Sequence, residues 1–231
     1  MKVTGVEVFP ISLAPPARGG SRWMILRLDT DAGVSGYGEM MLLSNPFRWQ
    51  VLVAMLEDLV DQAVIGHDPY NAEELFDRIY GRAGYSHAPE QTKLAMLSAL
   101  DMACHDIVGK DLGQPLYRLM GGKLRDKVRT YTYLYADDGA ASMQQSARSL
   151  WLDPGYAAAR ARHYVDLGFT AVKLDPFSLT VSEDQALGQI VPLQFTPKAL
   201  ETAESVIGAI RAEVGSAADI LVGTHGQMTP A

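Results

Sequence analysis

Apolar and polar positions alternate with the period of extended chain over the first forty residues. Val3, Val6, Val8 and Ile11 fall in one such run, and Trp23 to Leu28 (WMILRL) forms a second. Thr30, Asp31, Ala32 and Gly33 read as a turn whose glycine can take φ > 0, and Val34 to Glu39 returns as a third strand. Together they predict a β-meander. Residues 14 to 21 (APPARGGS) separate the first two strands, and their Pro and Gly content marks a loop.

The period then changes to that of a helix. Phe47 to Val64 places Val51, Met55, Leu56 and Leu59 at helical spacing. Asn71 precedes Glu74 by three residues, a capping-box arrangement predicting a helix through Tyr80. The strongest helical pattern runs from Pro89 to Lys110, with Leu94, Leu97, Leu100, Cys104 and Ile107 as one buried stripe. Pro89 suits its first turn, and Gly113 and Pro115 end it.

Beyond Gly121 and Gly122 the pattern alternates. Val128 to Leu134 (VRTYTYL) is β-branched and aromatic, hence a strand. Pro154 to Leu167 is helical, with Tyr156, Ala159, His163 and Leu167 along one side and Gly168 at the C-terminal cap. Ala171 to Leu174 is a short strand. Residues 176 to 196 form a poorly periodic connection, and Ala199 to Val214 is a helix through Ala203, Val206, Ile207 and Ile210. Gly215 caps it, and Asp219 to Thr224 is the next strand. This β-α-β-α-β order implies parallel strands with crossover helices, in an open doubly wound sheet or a β/α barrel.

Composition narrows the function classes. The 231 residues are 48% hydrophobic and 20% charged, as in an ordinary globular protein. No apolar run approaches the roughly 20 residues needed to span a bilayer, and the N-terminus lacks the pattern of a signal peptide. A cytoplasmic location is therefore expected, without a membrane partner. One cysteine, Cys104, excludes an intrachain disulfide and a cysteine-rich zinc site; its place on an apolar stripe makes it a small buried hydrophobe. The net charge of −7 without a basic stripe argues against nucleic acid. Glycine-rich phosphate loops, HExxH and GxSxG are absent, and His67, His87, His105 and His163 have no ligand spacing.

One stretch carries a family signature. Ser98 to Gly121 reads SALDMACHDIVGKDLGQPLYRLMG. It resembles the mandelate racemase/muconate lactonizing enzyme signature of the enolase superfamily at Ala99, Leu100, Asp101, Ala103, Asp106, Ile107, Gly109, Lys110, Pro115, Leu116, Leu119 and Gly121. Met96, where that signature usually has Ala, departs from it. GVSGYGEM (33 to 40) looks like the family's third capping-domain strand, GFTAVKLDP (168 to 176) like its second barrel strand, and ADILVGTHGQMTP (218 to 230) like its third. The resemblance implies an α+β capping domain over residues 1–125, followed over 126–231 by the start of a TIM-type (β/α) barrel, incomplete at this length. The long-helix signature itself reads as structural, a joint between capping domain and barrel.

The same resemblance implies chemistry. The family abstracts the proton α to a carboxylate, with the enediolate stabilised by Mg²⁺ held by strand-end carboxylates. Lys173 matches the family's second-strand lysine. Asp175, two residues on, points to the same side and favours the ammonium form, so Lys173 is expected to stabilise charge or donate a proton rather than serve as a base. The plainer alternative is a strand-end ion pair. His225 with Gly226 matches the end of the third-strand pattern, while Gly223 stands where relatives often carry an Asp metal ligand. A glycine cannot coordinate through a side chain, so His225 itself is a candidate to approach a metal or act as acid/base. The later carboxylate ligands would lie beyond Ala231, so no metal ligand is assigned within this chain. Residues 14 to 22 match the mobile capping loop, and Arg18 and Arg22 are candidates to meet an anionic substrate, with simple solvation as the alternative.

The expected parent is an acid-sugar dehydratase acting on an aldonate or aldarate, a homo-oligomer whose partner is the small acid sugar. A racemase, epimerase or cycloisomerase is the alternative. The residues from Val128 onward are far fewer than the ~250 of a full barrel. The chain is therefore expected to be a fragment or to be completed by another chain, and to be inactive or noncatalytic alone.

Overall fold

In the computed structural model, the described residues are 1–14, 22–41, 48–81, 90–136, 150–176 and 197–224. They fall in two compact units, one up to Asp126 and one from Lys127 onward.

In the first unit, β1 (Val3–Ser12), β2 (Arg22–Thr30) and β3 (Ser35–Met41) form an antiparallel sheet in that order. Alternation along β2 buries Met24, Leu26 and Leu28 on one face. Those side chains join a core with Leu52, Leu56 and Val60 of α1 (Trp49–Ala63) and Met96, Leu97, Leu100, Cys104 and Ile107 of α3 (Gln91–Asp111). Each fully buried aliphatic side chain there contributes about 1.5–3 kcal/mol. Gly33 closes the β2–β3 turn with φ 75°.

Helix α3 sits unusually close to β3. A Cβ on Gly36 would overlap the Ala103 carbonyl oxygen and fall 2.7 Å from Ile107 Cγ1; one on Gly38 would overlap the Ala99 carbonyl oxygen and fall 2.7 Å from its carbon. The glycines of GVSGYGEM therefore let strand backbone lie against helix backbone. The contact is fastened at its rim. The Tyr37 N–H donates to Asp106 Oδ2 (2.9 Å), and Lys110 Nζ donates to Asp106 Oδ2 (2.7 Å) and to the Ser35 carbonyl (2.8 Å). Ala99, Ala103, Asp106 and Lys110 of the signature are thus a seat for β3.

Three local expectations are corrected. The buried face of α1 is Leu52, Leu56, Val60 and Ala63, while Val51 and Met55 are exposed. Asn71 precedes α2 (Ala72–Phe76) without a side-chain cap, and Glu74 pairs with Arg78 at 2.7 Å instead; the helix continues as a π-turn over Asp77–Gly81. Helix α3 is capped by Glu90, which accepts from the Thr92 and Lys93 N–H groups; Pro89 lies outside the described residues. A short helix α4 (Leu116–Leu119) follows Gly113 and Pro115.

The second unit is a parallel sheet in the order β4 (Thr132–Tyr133), β5 (Ala171–Leu174), β6 (Asp219–Val222). Helix α5 (Pro154–Asp166) lies between β4 and β5 in sequence, and α6 (Pro197–Val214) between β5 and β6. Strand β4 is shorter than the seven residues expected, because it pairs with only two residues of β5 before a last bond from Leu134 N–H to the Lys173 carbonyl. Helix α5 starts at Pro154, with Asp153 capping the Tyr156 N–H, and ends before Gly168 at φ 99°. Its buried face is Ala157, Ala161 and Tyr164, with Arg160; Ala159, His163 and Leu167 are exposed, a correction of the side read from spacing. Arg160 is buried because its Nε donates to the Tyr135 carbonyl (2.9 Å) and its guanidinium lies over the Tyr164 ring. Val172 and Leu174 of β5 are buried with Val206 and Ile210 of α6, which leaves Lys173, between them, on the opposite face.

At the N-terminal ends of these strands, Arg129 ties β5 to β6. It bonds Thr170 Oγ1 (2.7 Å) and the Thr170 carbonyl (2.6 Å), and pairs with Asp219 (2.7 Å).

Candidate active site at the C-terminal strand ends

The opposite ends of the same strands gather the candidate chemistry. Lys173 stands between Tyr133 of β4 and Leu221 of β6 in the parallel ladder. Its Nζ is 4.5 Å from the Tyr133 ring centroid and 5.8 Å from that of Tyr131. A hydrogen bond with the Tyr133 side chain is the largest influence holding the Lys173 ammonium above the usual lysine range. Asp175 and Tyr131 act in the same direction, against partial desolvation. The group is accordingly a persistent cation at neutral pH.

Asp175 follows β5 directly. The Gly223 N–H donates to the Leu174 carbonyl (2.9 Å), continuing the ladder past β6 and bringing Gly223 beside Asp175. A Cβ on Gly223 would overlap Asp175 Oδ1 and lie 2.8 Å from its Cγ and 2.9 Å from Lys173 Cε. Lys173 and Asp175 therefore converge on one small space in front of residue 223, as their two-residue spacing predicts.

The other candidates fall elsewhere. Arg22 is not in a loop: it opens β2 opposite Ser12, with its guanidinium 6.0 Å from the Trp49 ring. Arg18 and His225 lie outside the described residues, as does His87. His67 is buried with Nε2 3.0 Å from the Asn71 carbonyl, and His105 Nδ1 is 3.0 Å from the Asp101 carbonyl. Cys104 is fully buried, its thiol pushed up to about 12 by desolvation, which makes it inert.

Comparison with known proteins settles the family. Residues 1–121 match the mandelate racemase / muconate lactonizing enzyme, N-terminal domain. The chain belongs to the mandelate racemase/muconate lactonizing enzyme family. Among its relatives, the D-galactonate dehydratase of Verminephrobacter eiseniae is 30% identical over the whole chain, which covers 50% of that protein. The D-gluconate dehydratase of Thermoproteus tenax is 31% identical, with 96% of this chain and 39% of that protein aligned. The crystal structure of mandelate racemase/muconate lactonizing enzyme from Sulfitobacter sp. superposes with a TM-score of 0.83 at 34% identity, covering 99% of this chain and 54% of that one. The chain thus spans about half the length of the relatives it matches. Its fold is the capping domain of this enolase-superfamily branch followed by the opening β/α units of a TIM-type barrel.

Family membership implies Mg²⁺, yet the described residues do not provide its site. Among them no three His, Cys, Asp or Glu side chains converge. The strand-end carboxylate, Asp175, shares its space with the Lys173 chain, and position 223 offers no side chain. The Lys173 ammonium acting on the Asp175 carboxylate disfavours a second cation at that point.

Tyr133 was not singled out by sequence reasoning. Its signal was present in the period-2 spacing of Tyr131, Tyr133 and Tyr135, whose rings follow one another at 6.4 and 6.3 Å. No helix among the described residues is long and apolar enough to cross a membrane.

Proposed function

We propose that this chain is the N-terminal portion of an acid-sugar dehydratase, removing water from an aldonate or aldarate. The observation that carries the reading is the convergence of Lys173, Asp175 and Tyr133 at the C-terminal strand ends, where β/α barrels place their chemistry. The dehydratase names of the relatives supply the substrate class.

Loss of water from a 2,3-dihydroxy acid requires removal of the α-proton, charge build-up on the carboxylate, and departure of the β-hydroxyl with a proton. Lys173, held as an ammonium by Tyr133 and Asp175, suits the second and third tasks. It opposes the developing charge or protonates the leaving oxygen, and a different group takes the α-proton. The Mg²⁺ implied by the family enters no step here, because the described residues do not hold it. The division into a capping domain at 1–125 and a barrel segment at 126–231, a small acid-sugar partner, a cytoplasmic setting and a homo-oligomeric parent belong to the same reading.

The test uses the product of the complete reading frame, screened against an acid-sugar library with Mg²⁺. Formation of a 2-keto-3-deoxy acid supports the assignment. Lys173→Met should lower kcat by about 10²-fold or more with a smaller change in KM. Deuterium uptake at Cα without loss of water would instead identify a racemase or epimerase, and turnover of no acid sugar would overturn the enzyme class.

A further inference from the structure

Residue 223 is a glycine, with no side chain to fill the space in front of it. The structure shows what fills the space. The Asp175 carboxylate, arriving from the neighbouring strand, occupies the volume that the first atoms of a residue-223 side chain would take. The backbone at Gly223 is outside the left-handed region, so its conformation alone would admit any residue. What a side chain at 223 would meet is the ends of Asp175 and Lys173, not a constraint of the chain's path.

We propose that Gly223 is a positioning residue: by carrying no side chain it makes room for the Asp175 carboxylate beside Lys173. From residue 175, just past the end of β5, the carboxylate lies two residues from Lys173, with Tyr133 of β4 and Tyr131 just before that strand around the ammonium. The acidic group thereby acts as the counter-ion of the lysine, and Lys173, Asp175 and Gly223 form one unit drawn from two strands. The inference rests on Lys173 and Asp175 as the working pair of the proposed function, but its test does not depend on turnover.

The test is a swap made in the 231-residue chain, read by the pH dependence of Lys173 acetylation, followed by mass spectrometry, and by thermal melting. Among the described residues, the titratable groups acting on Lys173 are Tyr131, Tyr133 and Asp175. Gly223→Ala displaces the carboxylate. It should lower the melting temperature and raise Lys173 acetylation at fixed pH by about threefold or more, the equivalent of half a pH unit. Asp175→Asn keeps the shape and should raise acetylation to a similar extent with little change in melting. This second variant decides the matter should Gly223→Ala not fold. The exchanged pair Asp175→Gly with Gly223→Asp returns a carboxylate to the same space and should bring acetylation back to within about twofold of the parent. The proposal is overturned if Asp175→Asn leaves the Lys173 profile unchanged, or if the exchanged pair behaves like Asp175→Gly alone. A failed dehydratase screen with a successful swap would sink the substrate assignment and leave this pairing standing.

Discussion

The glycines of β3 and the glycine just past β6 both make room for a neighbour, and the two rooms differ. At Gly36 and Gly38 the neighbour is helix backbone, the carbonyls of Ala103 and Ala99. At Gly223 the neighbours are the ends of two side chains, Asp175 and Lys173. Backbone in the middle of a long helix cannot step aside without breaking its own hydrogen bonds, whereas side chains can turn away. The first arrangement is therefore architectural. The second is exchangeable, and so open to functional change at modest cost to the fold.

That contrast is most exposed at Gly38. Gly38→Ala should cost about 3 kcal/mol, the upper end for overpacking, in urea unfolding of the 231-residue chain. Because the obstacle is a carbonyl oxygen, Ala99→Gly should not rescue it. Cys104 on α3 offers a second readout: its buried thiol should react with a disulfide reagent only on unfolding, and faster in the Gly38→Ala chain. A cost below about 1 kcal/mol would show that α3 shifts freely and would erase the distinction. At Gly223, by contrast, alanine should cost about 1 kcal/mol, and Asp175→Gly should relieve most of it.

Smaller perturbations sharpen the picture. Glu90→Ala removes the carboxylate that accepts from Thr92 and Lys93, and should cost about 1 kcal/mol without unseating α3 from its glycines. Those backbone hydrogen bonds, with Thr92 first, hold the Glu90 carboxyl below its usual range. Its contribution is thus complete above the unfolded-state value near 4.5 and fades as pH falls through the lower folded value, so the variant should lose that part of the acid sensitivity. Arg129→Met should have the least effect, about 0.5 kcal/mol and diminishing with salt, since its pair with Asp219 is more than half exposed on both sides.

Much of the fold was readable from the chain. Alternation gave β2 and β3, and Gly33, Gly168 and Gly215 stood at the expected positive-φ ends. The span of β5 followed from AVKL alone. What failed was the choice of helix face. Helix α1 carries Val51, Leu52, Val53, Met55, Leu56, Leu59 and Val60, so apolar residues surround most of it and period does not select a side. In α5 the candidates are alanines, which carry little signal, and the side is fixed by Arg160 reaching the Tyr135 carbonyl, a bond no local pattern announces. The cap of α3 was missed because glutamate is not among the usual N-cap residues. At the site, the facing of Lys173 and Asp175 followed from a period of two. Tyr133 was hidden because its role depends on which strand lies beside β5, and that is a property of the sheet rather than of the stretch.

The rim of the β3–α3 contact has a consequence for how the molecule meets its own kind. A strand at the border of a sheet normally offers outward amide and carbonyl groups to any extended chain that drifts past. On β3 the Tyr37 amide is taken by Asp106 and the Ser35 carbonyl by Lys110. Two charged side chains, one helical turn apart, stand in for a fourth strand. They plug the socket through which two such sheets would otherwise zip together, so residues that mark the family also guard this border against self-association.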